Sequence, residues 1–259
     1  MTTPIQKAAE ALYLARRERR PVPRISESFG ISSADDAYAV AQFNVQRALE
    51  EGRARTGCKI GLTSPAVQRQ LGVDQPDFGL LFDDMEFLDG DEIPMERLIQ
   101  PKAEGEVAFV LRKDLNDPRL GWGQLLLSIE CVLPAIEIVD SAIEDWKITL
   151  VDTIADNASS AMYVLGTEAR SLHEVNLVNV GMDLRVNGQT ASVGSGAACL
   201  GHPLRSLLWL ARTMARLRQP LRAGDTVLSG ALGPMVPLNG GDQLDLTIGG
   251  LGSVRCRAR

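Results

Sequence analysis

Three glutamates lie inside apolar segments that have the length and composition of buried strands. Glu104 and Glu106 occur in KAEGEVAFVL, and Glu137 occurs in VLPAIEIVD. Burying an ionised carboxylate without a partner costs several kcal/mol even after the protein relaxes. Each carboxylate therefore needs a cation, a set of hydrogen bonds or a raised pKa. A fold that brings all three together around one divalent ion would meet this need.

The alternation of side chains along a strand predicts that Glu104 and Glu106 share one face, with Phe109 on the other. Two like charges on one face repel each other unless a positive charge lies between them. Taken alone, this pair is more typical of a half-exposed, solvated strand face. Glu137 changes the interpretation, because it lies in the apolar run 132–139 and buried carboxylates concentrate at functional sites.

A ligand set made only of carboxylates favours Mg²⁺ or Mn²⁺, because hard cations prefer oxygen whereas zinc prefers His or Cys. The chain has only two histidines, His173 and His202. His202 precedes Pro203 at a predicted helix start, where a residue beside the helix cap is a better interpretation than a ligand. Three monodentate glutamates would leave about three of six octahedral positions open for a chelating substrate.

The composition is that of an ordinary globular protein with a substantial core. The chain has 259 residues, a hydrophobic content of 45% and a formal net charge of −6, which disfavours nucleic acid and anionic membranes as partners. The basic run RRERR at 16–20 is expected to be a solvated helix end. The four cysteines have neither paired nor zinc-binding spacing, and no signal-like or membrane-spanning apolar run is evident, so we expect a reducing cytoplasm.

Helical spacing dominates the amino-terminal part of the chain. One helix is predicted around Ile5 to Leu12, and a second is predicted to start at Ser32 or Ser33 and to bury an apolar stripe up to Ala48. A short helix is predicted to start at Ser64 and to be capped by Gly72.

Strand patterns dominate from about Phe82 onward. Two further helices are expected there, around Gln124 to Val132 and Leu204 to Leu217. The pair Asn187-Gly188 predicts a tight hairpin between two strands.

Three more residues are candidates for a site, although each has a plain structural explanation. Lys59 in CKIGLTS is either partly buried or a surface lysine whose stem covers apolar groups. Asp77 in DQPDFG also suits a turn. Ser159 lies in DTIADNASSA, where small polar residues are typical of turns and caps.

Several separated motifs resemble the 2-keto-4-pentenoate hydratases of the fumarylacetoacetase-like superfamily. They are KIGLTSPAVQRQLGVDQPDFG, PKAEGEVAFVL, LPAIEIVDS, DTIADNASS, CLGHPL and LSGALGPMV. The resemblance covers nearly the whole chain, from about Ala34 to Cys256. The resemblance implies an α+β fold, with a helical amino-terminal portion (1–75) and a mixed β-roll of the fumarylacetoacetase C-terminal-domain type (76–259) in one compact unit. Gly105 departs from the pattern, because Ala is common between the two glutamates, and it should loosen the strand slightly.

The same resemblance implies a site and a reaction. Glu104, Glu106 and Glu137 match the glutamates that hold Mg²⁺ or Mn²⁺, Lys59 and Asp77 match catalytic residues, and Ser159 matches a substrate-proximal residue. The implied reaction is hydration of 2-hydroxypenta-2,4-dienoate to 4-hydroxy-2-oxopentanoate, a step of aromatic meta-cleavage catabolism. The resemblance also implies a homopentamer or homodecamer, and association with a decarboxylase or aldolase of the same pathway is a further expectation.

Two other functions remain open at this stage. The 4-oxalocrotonate decarboxylases are similar to this chain and use a similar metal, but they tend to carry L-K-M-G where this chain has C-K-I-G at 58–61. A catalytically silent subunit that supports a partner enzyme is the second alternative. The presence of all three glutamates and of Lys59 argues against it.

Overall fold

The structure, a computed structural model, describes residues 2–65, 68–69 and 73–259. Helices dominate the amino-terminal part, and two β-sheets with short intervening helices follow. The helices are α1 (Pro4–Glu18), α2 (Ile25–Phe29), α3 (Ala34–Glu50), α4 (Trp122–Leu126), α5 (Leu150–Ala155) and α6 (Pro203–Arg216). The strands are β1 (Arg55–Gly61), β2 (Asp77–Phe82), β3 (Glu86–Leu88), β4 (Glu92–Ile93), β5 (Lys102–Leu111), β6 (Ile129–Val139), β7 (Ser160–Leu165), β8 (Gly181–Val186), β9 (Gln189–Ser195), β10 (Thr226–Leu228), β11 (Val236–Pro237), β12 (Gln243–Ile248) and β13 (Gly252–Ala258). The predicted α+β class is confirmed.

The two long amino-terminal helices begin where their capping residues predict. Thr3 caps α1 through a reciprocal pair of hydrogen bonds with Gln6, and the Ser33 hydroxyl accepts from the Asp36 N–H at the start of α3. The two helices pack against each other, and α3 also packs against α5. The buried residues of α3 are Ala37, Val40, Ala41, Val45 and Ala48.

The expectation of a solvated helix end at 16–20 is wrong for Arg16. Its guanidinium donates to Asp156 Oδ1 at 2.9 Å and to the Asp140 carbonyl oxygen at 2.6 Å. The Asp140 side chain has no exposed area and also accepts from two backbone N–H groups, those of residues 99 and 100. Arg16 therefore joins α1 to the carboxyl end of β6, which carries Glu137.

The larger sheet places its strands in the order β2-β1-β10-β5-β6-β7-β3, and β11 pairs with the start of β5. The helix predicted over Gln124 to Val132 is wrong in its second half. It ends at Leu126, and β6 begins at Ile129 and pairs with β5 from residue 129 to residue 139. This long ladder outweighs the weak helical preference of the leucine-rich segment.

The smaller sheet has the order β4-β13-β12-β8-β9. The predicted hairpin at Asn187-Gly188 joins β8 and β9, and both residues have the positive φ angles of a tight hairpin turn, 53° and 78°. This sheet covers the back of β5 at Gly105, where an added Cβ would lie 2.7 Å from Leu246 Cδ1. Gly105 therefore permits close packing of the sheets, rather than only loosening the strand.

β1 lies in the expected portion 1–75, yet its pairing partners belong to the expected portion 76–259. It pairs with β2 on one side and with β10 on the other, so backbone hydrogen bonds connect the two portions. The division into 1–75 and 76–259 remains a prediction. Gly72, the expected helix cap, lies outside the described residues. Within the described ranges, no helix combines the length and the apolar composition required to span a bilayer.

Candidate active site

The pairing of β5 with β6 brings the three glutamates together. Glu104 lies directly opposite Glu137, and Glu106 lies opposite Ala135 on the same face of the sheet. One carboxylate oxygen from each glutamate lies within 4.8 Å of the others. Glu106 and Glu137 have no exposed area, so this face of β5 is not the solvated surface that the first pair alone would favour.

The electrostatics of this cluster are unfavourable without a cation. Burial, followed by the charge of Glu137, raises the pKa values of Glu104 and Glu106. The Gly230 N–H donates to Glu106 Oε2 at 2.8 Å. Among the described residues, Glu106 Oε1 and both oxygens of Glu137 lack hydrogen-bond partners. Three converging carboxylates with open oxygen atoms fit a hard divalent cation, and the cluster could hold one.

Lys59 projects from β1 into the same cluster. Its Nζ lies 3.2 Å from Glu137 Oε1, without hydrogen-bond geometry to that atom, and donates to the Ala158 carbonyl oxygen at 2.9 Å. The residue is only 3% exposed, so it is buried and is not a surface lysine whose stem covers apolar groups. Burial lowers the pKa of Lys59, but the surrounding carboxylates, led by Glu137, outweigh burial and raise it overall.

Asp77 is the first residue of β2 and lies opposite Gly61 of β1. It is 1% exposed, and neither of its carboxylate oxygens has a hydrogen-bond partner among the described residues. Burial raises the pKa of Asp77 to about 6, although Lys59 opposes the shift. A Cβ at Gly61 would lie 2.1 Å from Asp77 Oδ1, so the glycine of KIGLTS makes room for this carboxylate.

A left-handed turn completes the site. Asn157, Ala158 and Ser159 have consecutive φ angles of 54°, 52° and 53°. Such angles cost non-glycine residues about 1–2 kcal/mol each, and they persist where the surroundings enforce them. Here the Asn157 amide accepts from the Leu80 N–H and donates to the Leu80 carbonyl oxygen. The turn thereby directs the Ala158 carbonyl oxygen at Lys59, and the buried Ser159 hydroxyl has no partner among the described residues.

A cavity of about 590 Å³ connects these groups. Lys59, Asp77, Glu104 and Ser159 all line it, and Glu106 and Glu137 lie buried beneath. All six residues predicted for the site therefore lie together. Their individual roles remain predictions.

The sequence interpretation missed Trp146, and although it placed a pocket-lining turn at 230–233, it did not predict the contact that Gly230 makes. Trp146 lines the cavity, and the Gly230 N–H holds Glu106. Gly230 has a φ of 96°, which accounts for a glycine in LSGALG. The sequence offers no comparable signal for Trp146, because a tryptophan in a polar connection is equally typical of packing.

Comparison with known proteins agrees with the geometry. Relatives over almost the whole chain include a 2-keto-4-pentenoate hydratase of Paraburkholderia xenovorans, with 51% identity over 96% of this chain and 93% of the relative. A 2-hydroxyhexa-2,4-dienoate hydratase of Comamonas testosteroni has 40% identity over 96% of this chain and 95% of the relative.

A similar solved structure is that of 4-oxalocrotonate decarboxylase from Pseudomonas putida G7 in complex with magnesium and adipate. It has 33% identity and a TM-score of 0.94, with 98% of this chain and 97% of that chain covered. Residues 60–259 match the model of the fumarylacetoacetate (FAA) hydrolase C-terminal family. With most of its length in that match, the chain belongs to the fumarylacetoacetate hydrolase family.

Proposed function

We propose that this protein is a metal-dependent hydratase that converts 2-hydroxypenta-2,4-dienoate to 4-hydroxy-2-oxopentanoate in the meta-cleavage catabolism of aromatic compounds. The observation that carries this proposal is the meeting of three carboxylates, Lys59 and Asp77 around one cavity. The names of relatives with 40–51% identity support the same reaction class. The alignments also cover almost the full length of this chain and of each relative, which supports it further.

Glu104, Glu106 and Glu137 would hold the ion, which we propose to be Mg²⁺ or Mn²⁺. The choice follows from the oxygen-only ligand set, and magnesium is present in the similar decarboxylase structure. When bound, the ion supplies a Lewis acid for the substrate's carboxylate and 2-oxygen.

Two proton transfers and one addition of water complete the reaction. In the first stage the dienol gains a proton at C5 and loses the proton of its 2-hydroxyl group, giving the 2-oxo-3-enoate. In the second stage water adds hydroxyl to C4 and a proton to C3. The chain must therefore supply an acid near C5, an acceptor for the 2-hydroxyl proton, a base for water and a donor near C3.

Lys59 and Asp77 are suited to these tasks. Lys59 lines the cavity with its Nζ 3.2 Å from Glu137 Oε1 and can donate a proton from there. Asp77, with a pKa of about 6, is mostly ionised near pH 7 and can accept a proton from water. The Ser159 hydroxyl has no partner among the described residues and can bind the substrate.

Decarboxylation of 4-oxalocrotonate remains a second candidate function, because the solved structure of a 4-oxalocrotonate decarboxylase is similar to this one, with a TM-score of 0.94. Both reactions would use the same three glutamates, so metal binding cannot separate them. Only hydration also requires a water molecule to be placed beside C4. Asp77, buried and without a partner among the described residues, is available for this task.

The test is a paired assay of the purified protein with Mg²⁺. We expect loss of dienoate absorbance with formation of 4-hydroxy-2-oxopentanoate, and no release of CO₂ from 4-oxalocrotonate. Lys59→Ala should lower turnover by about 10²–10⁴-fold while retaining Mg²⁺ binding. The matched control Lys113→Ala, on the surface outside the cavity, should retain full turnover. Rapid CO₂ release without hydration would establish the decarboxylase instead, and neither activity would favour a silent subunit.

We also propose that the protein forms a homopentamer or homodecamer. The resemblance to the 2-keto-4-pentenoate hydratases supports this assembly. Light scattering coupled to gel filtration would measure it directly, and a stable monomer at micromolar concentration would contradict it.

A further inference from the structure

The cavity has a charged floor and an apolar mouth. Glu106 and Glu137 lie at its base without exposed area, whereas Val193 and Met235 at its edge are 63% and 42% exposed. Trp146 lines the same cavity and is partly exposed. If the substrate's carboxylate and 2-oxygen bind at the floor, as the proposed function requires, its C5 tail must extend towards this apolar mouth.

The lining offers no counter-charge for an acidic tail. Among the described lining residues, Lys59 is the one cationic side chain, and it is paired with Glu137 at the floor. Lys102 lies over the Trp146 ring but does not line the cavity. Asp77 and Glu104 add negative charge to the lining. A tail that ends in a carboxylate would lose its hydration without gaining a partner. The cavity therefore favours an uncharged tail.

Trp146 is held firmly at this mouth. Its Nε1–H donates to the Gln100 carbonyl oxygen at 2.9 Å, and the Lys102 ammonium lies 4.4 Å from the centre of its ring. Trp146 and Asp145 both have a φ of 56°, a conformation that is rare for a bulky residue. Strained backbone of this kind concentrates at functional sites, where neighbouring contacts enforce it.

We propose that Trp146 is a specificity-determining residue and that its ring packs against an uncharged alkyl tail on C5 of the dienoate. Lys102 is a positioning residue that holds the ring through its charge. This proposal rests on the proposed function, because the direction of the tail follows from the binding of the substrate's head at the carboxylates.

The first test compares kcat/KM for dienoates whose C5 tail is hydrogen, methyl, ethyl or carboxylate. We expect the wild-type protein to prefer alkyl tails over the carboxylate tail by at least tenfold. One methylene buried against the ring is worth about 0.8 kcal/mol, which is about a fourfold preference. In Trp146→Ala, the kcat/KM ratio of the methyl to the hydrogen tail should fall about fourfold, and the ratio of the ethyl to the hydrogen tail should fall about 15-fold. Trp122→Ala, which changes the same residue type outside the cavity, should leave both ratios unchanged.

The second test measures binding without hydration. Chelating 2-oxo acids of increasing alkyl length, with 2-oxoglutarate as the acidic member, would be titrated by calorimetry in the presence of Mg²⁺. In the wild type, affinity should rise with each added methylene. In Trp146→Ala this rise with alkyl length should be much smaller. Lys102→Met should reduce the rise of affinity with alkyl length in part. Lys102→Arg should restore the rise, because a cation would again lie over the ring.

The outcomes separate the two proposals. Hydration by the wild type with tail ratios unchanged in Trp146→Ala would overturn the role of Trp146, and so would equal use of the carboxylate tail. Failure of the wild type to hydrate any dienoate, with the 2-oxo acid series still dependent on Trp146, would overturn the proposed reaction and retain the subsite.

Discussion

Replacing Asp77 by Asn should stabilise the metal-free protein, because Asp77 is ionised at neutral pH in a place that disfavours its charge. Burial raises its pKa from the ordinary value of 3.8 to about 6. A difference of that size corresponds to about 3 kcal/mol at 1.36 kcal/mol per pH unit. Asn has nearly the same shape and no charge to desolvate. The substitution should therefore raise the free energy of unfolding by up to about 3 kcal/mol at pH 8.

The sign of the pH dependence follows from proton binding. The folded protein holds the Asp77 proton to a higher pH than the unfolded chain does, so this group lowers stability as pH rises from about 4 through about 6. The Asn variant lacks this dependence. The difference between variant and wild type should thus be less than about 1 kcal/mol at pH 4 and should reach its full value above about pH 7.

The assay is urea unfolding followed by tryptophan fluorescence, with a chelator present and at one protein concentration. Asp74→Asn is the matched control, since Asp74 is exposed just before β2 and its replacement should change stability by less than about 0.5 kcal/mol. The Asp77 variant should lose turnover although it gains stability. An Asp77→Asn protein that is no more stable than wild type at pH 8, or a gain of equal size at pH 4 and pH 8, would refute the burial argument.

Three further outcomes are expected. Glu137→Gln should weaken Mg²⁺ binding by at least tenfold in calorimetry with unchanged circular dichroism, whereas Glu130→Gln, exposed on the same strand, should bind normally; equal binding would remove Glu137 from the ligand set. Oxalate should raise Tm only when Mg²⁺ or Mn²⁺ is present, and a shift of equal size in EDTA would point to a simple anion pocket. Gly188→Ala should lower the free energy of unfolding by about 1 kcal/mol in thermal unfolding, because φ is 78° there. Gly123→Ala in α4, where an added Cβ meets no atom within 4 Å, should be neutral or stabilising. Equal effects of the two substitutions would contradict the turn geometry.

Local signals were sufficient for much of the fold. The stripe of α3 from Ala37 to Ala48 follows from helical spacing, and the hairpin at Asn187-Gly188 follows from turn chemistry. The common face of Glu104 and Glu106 follows from strand alternation. In each case residues close in sequence determine the local structure, and the tertiary contacts agree with that local preference.

The remaining features depend on distant contacts or on backbone geometry. Arg16 is bound by Asp140 and Asp156, which lie far along the chain, so its basic run gives no sign of this ion pair. The end of helix α4 depends on the pairing of β6 with β5. Positive φ angles at Trp146 and at 157–159 are invisible in a sequence that places no glycine there.

The position of β10 has a consequence for how the protein is made. Residues 226–228 pair with both β1 and β5, and they are the strand that connects the Lys59 side of the larger sheet to the glutamate side. During synthesis this strand is translated only after about seven-eighths of the chain. Long-range pairing of this kind is intrinsically slow to form. The nascent chain therefore keeps edges of β1 and β5 unpaired for most of its synthesis, and the Lys59 side of the site can join the glutamate side only when translation is nearly finished.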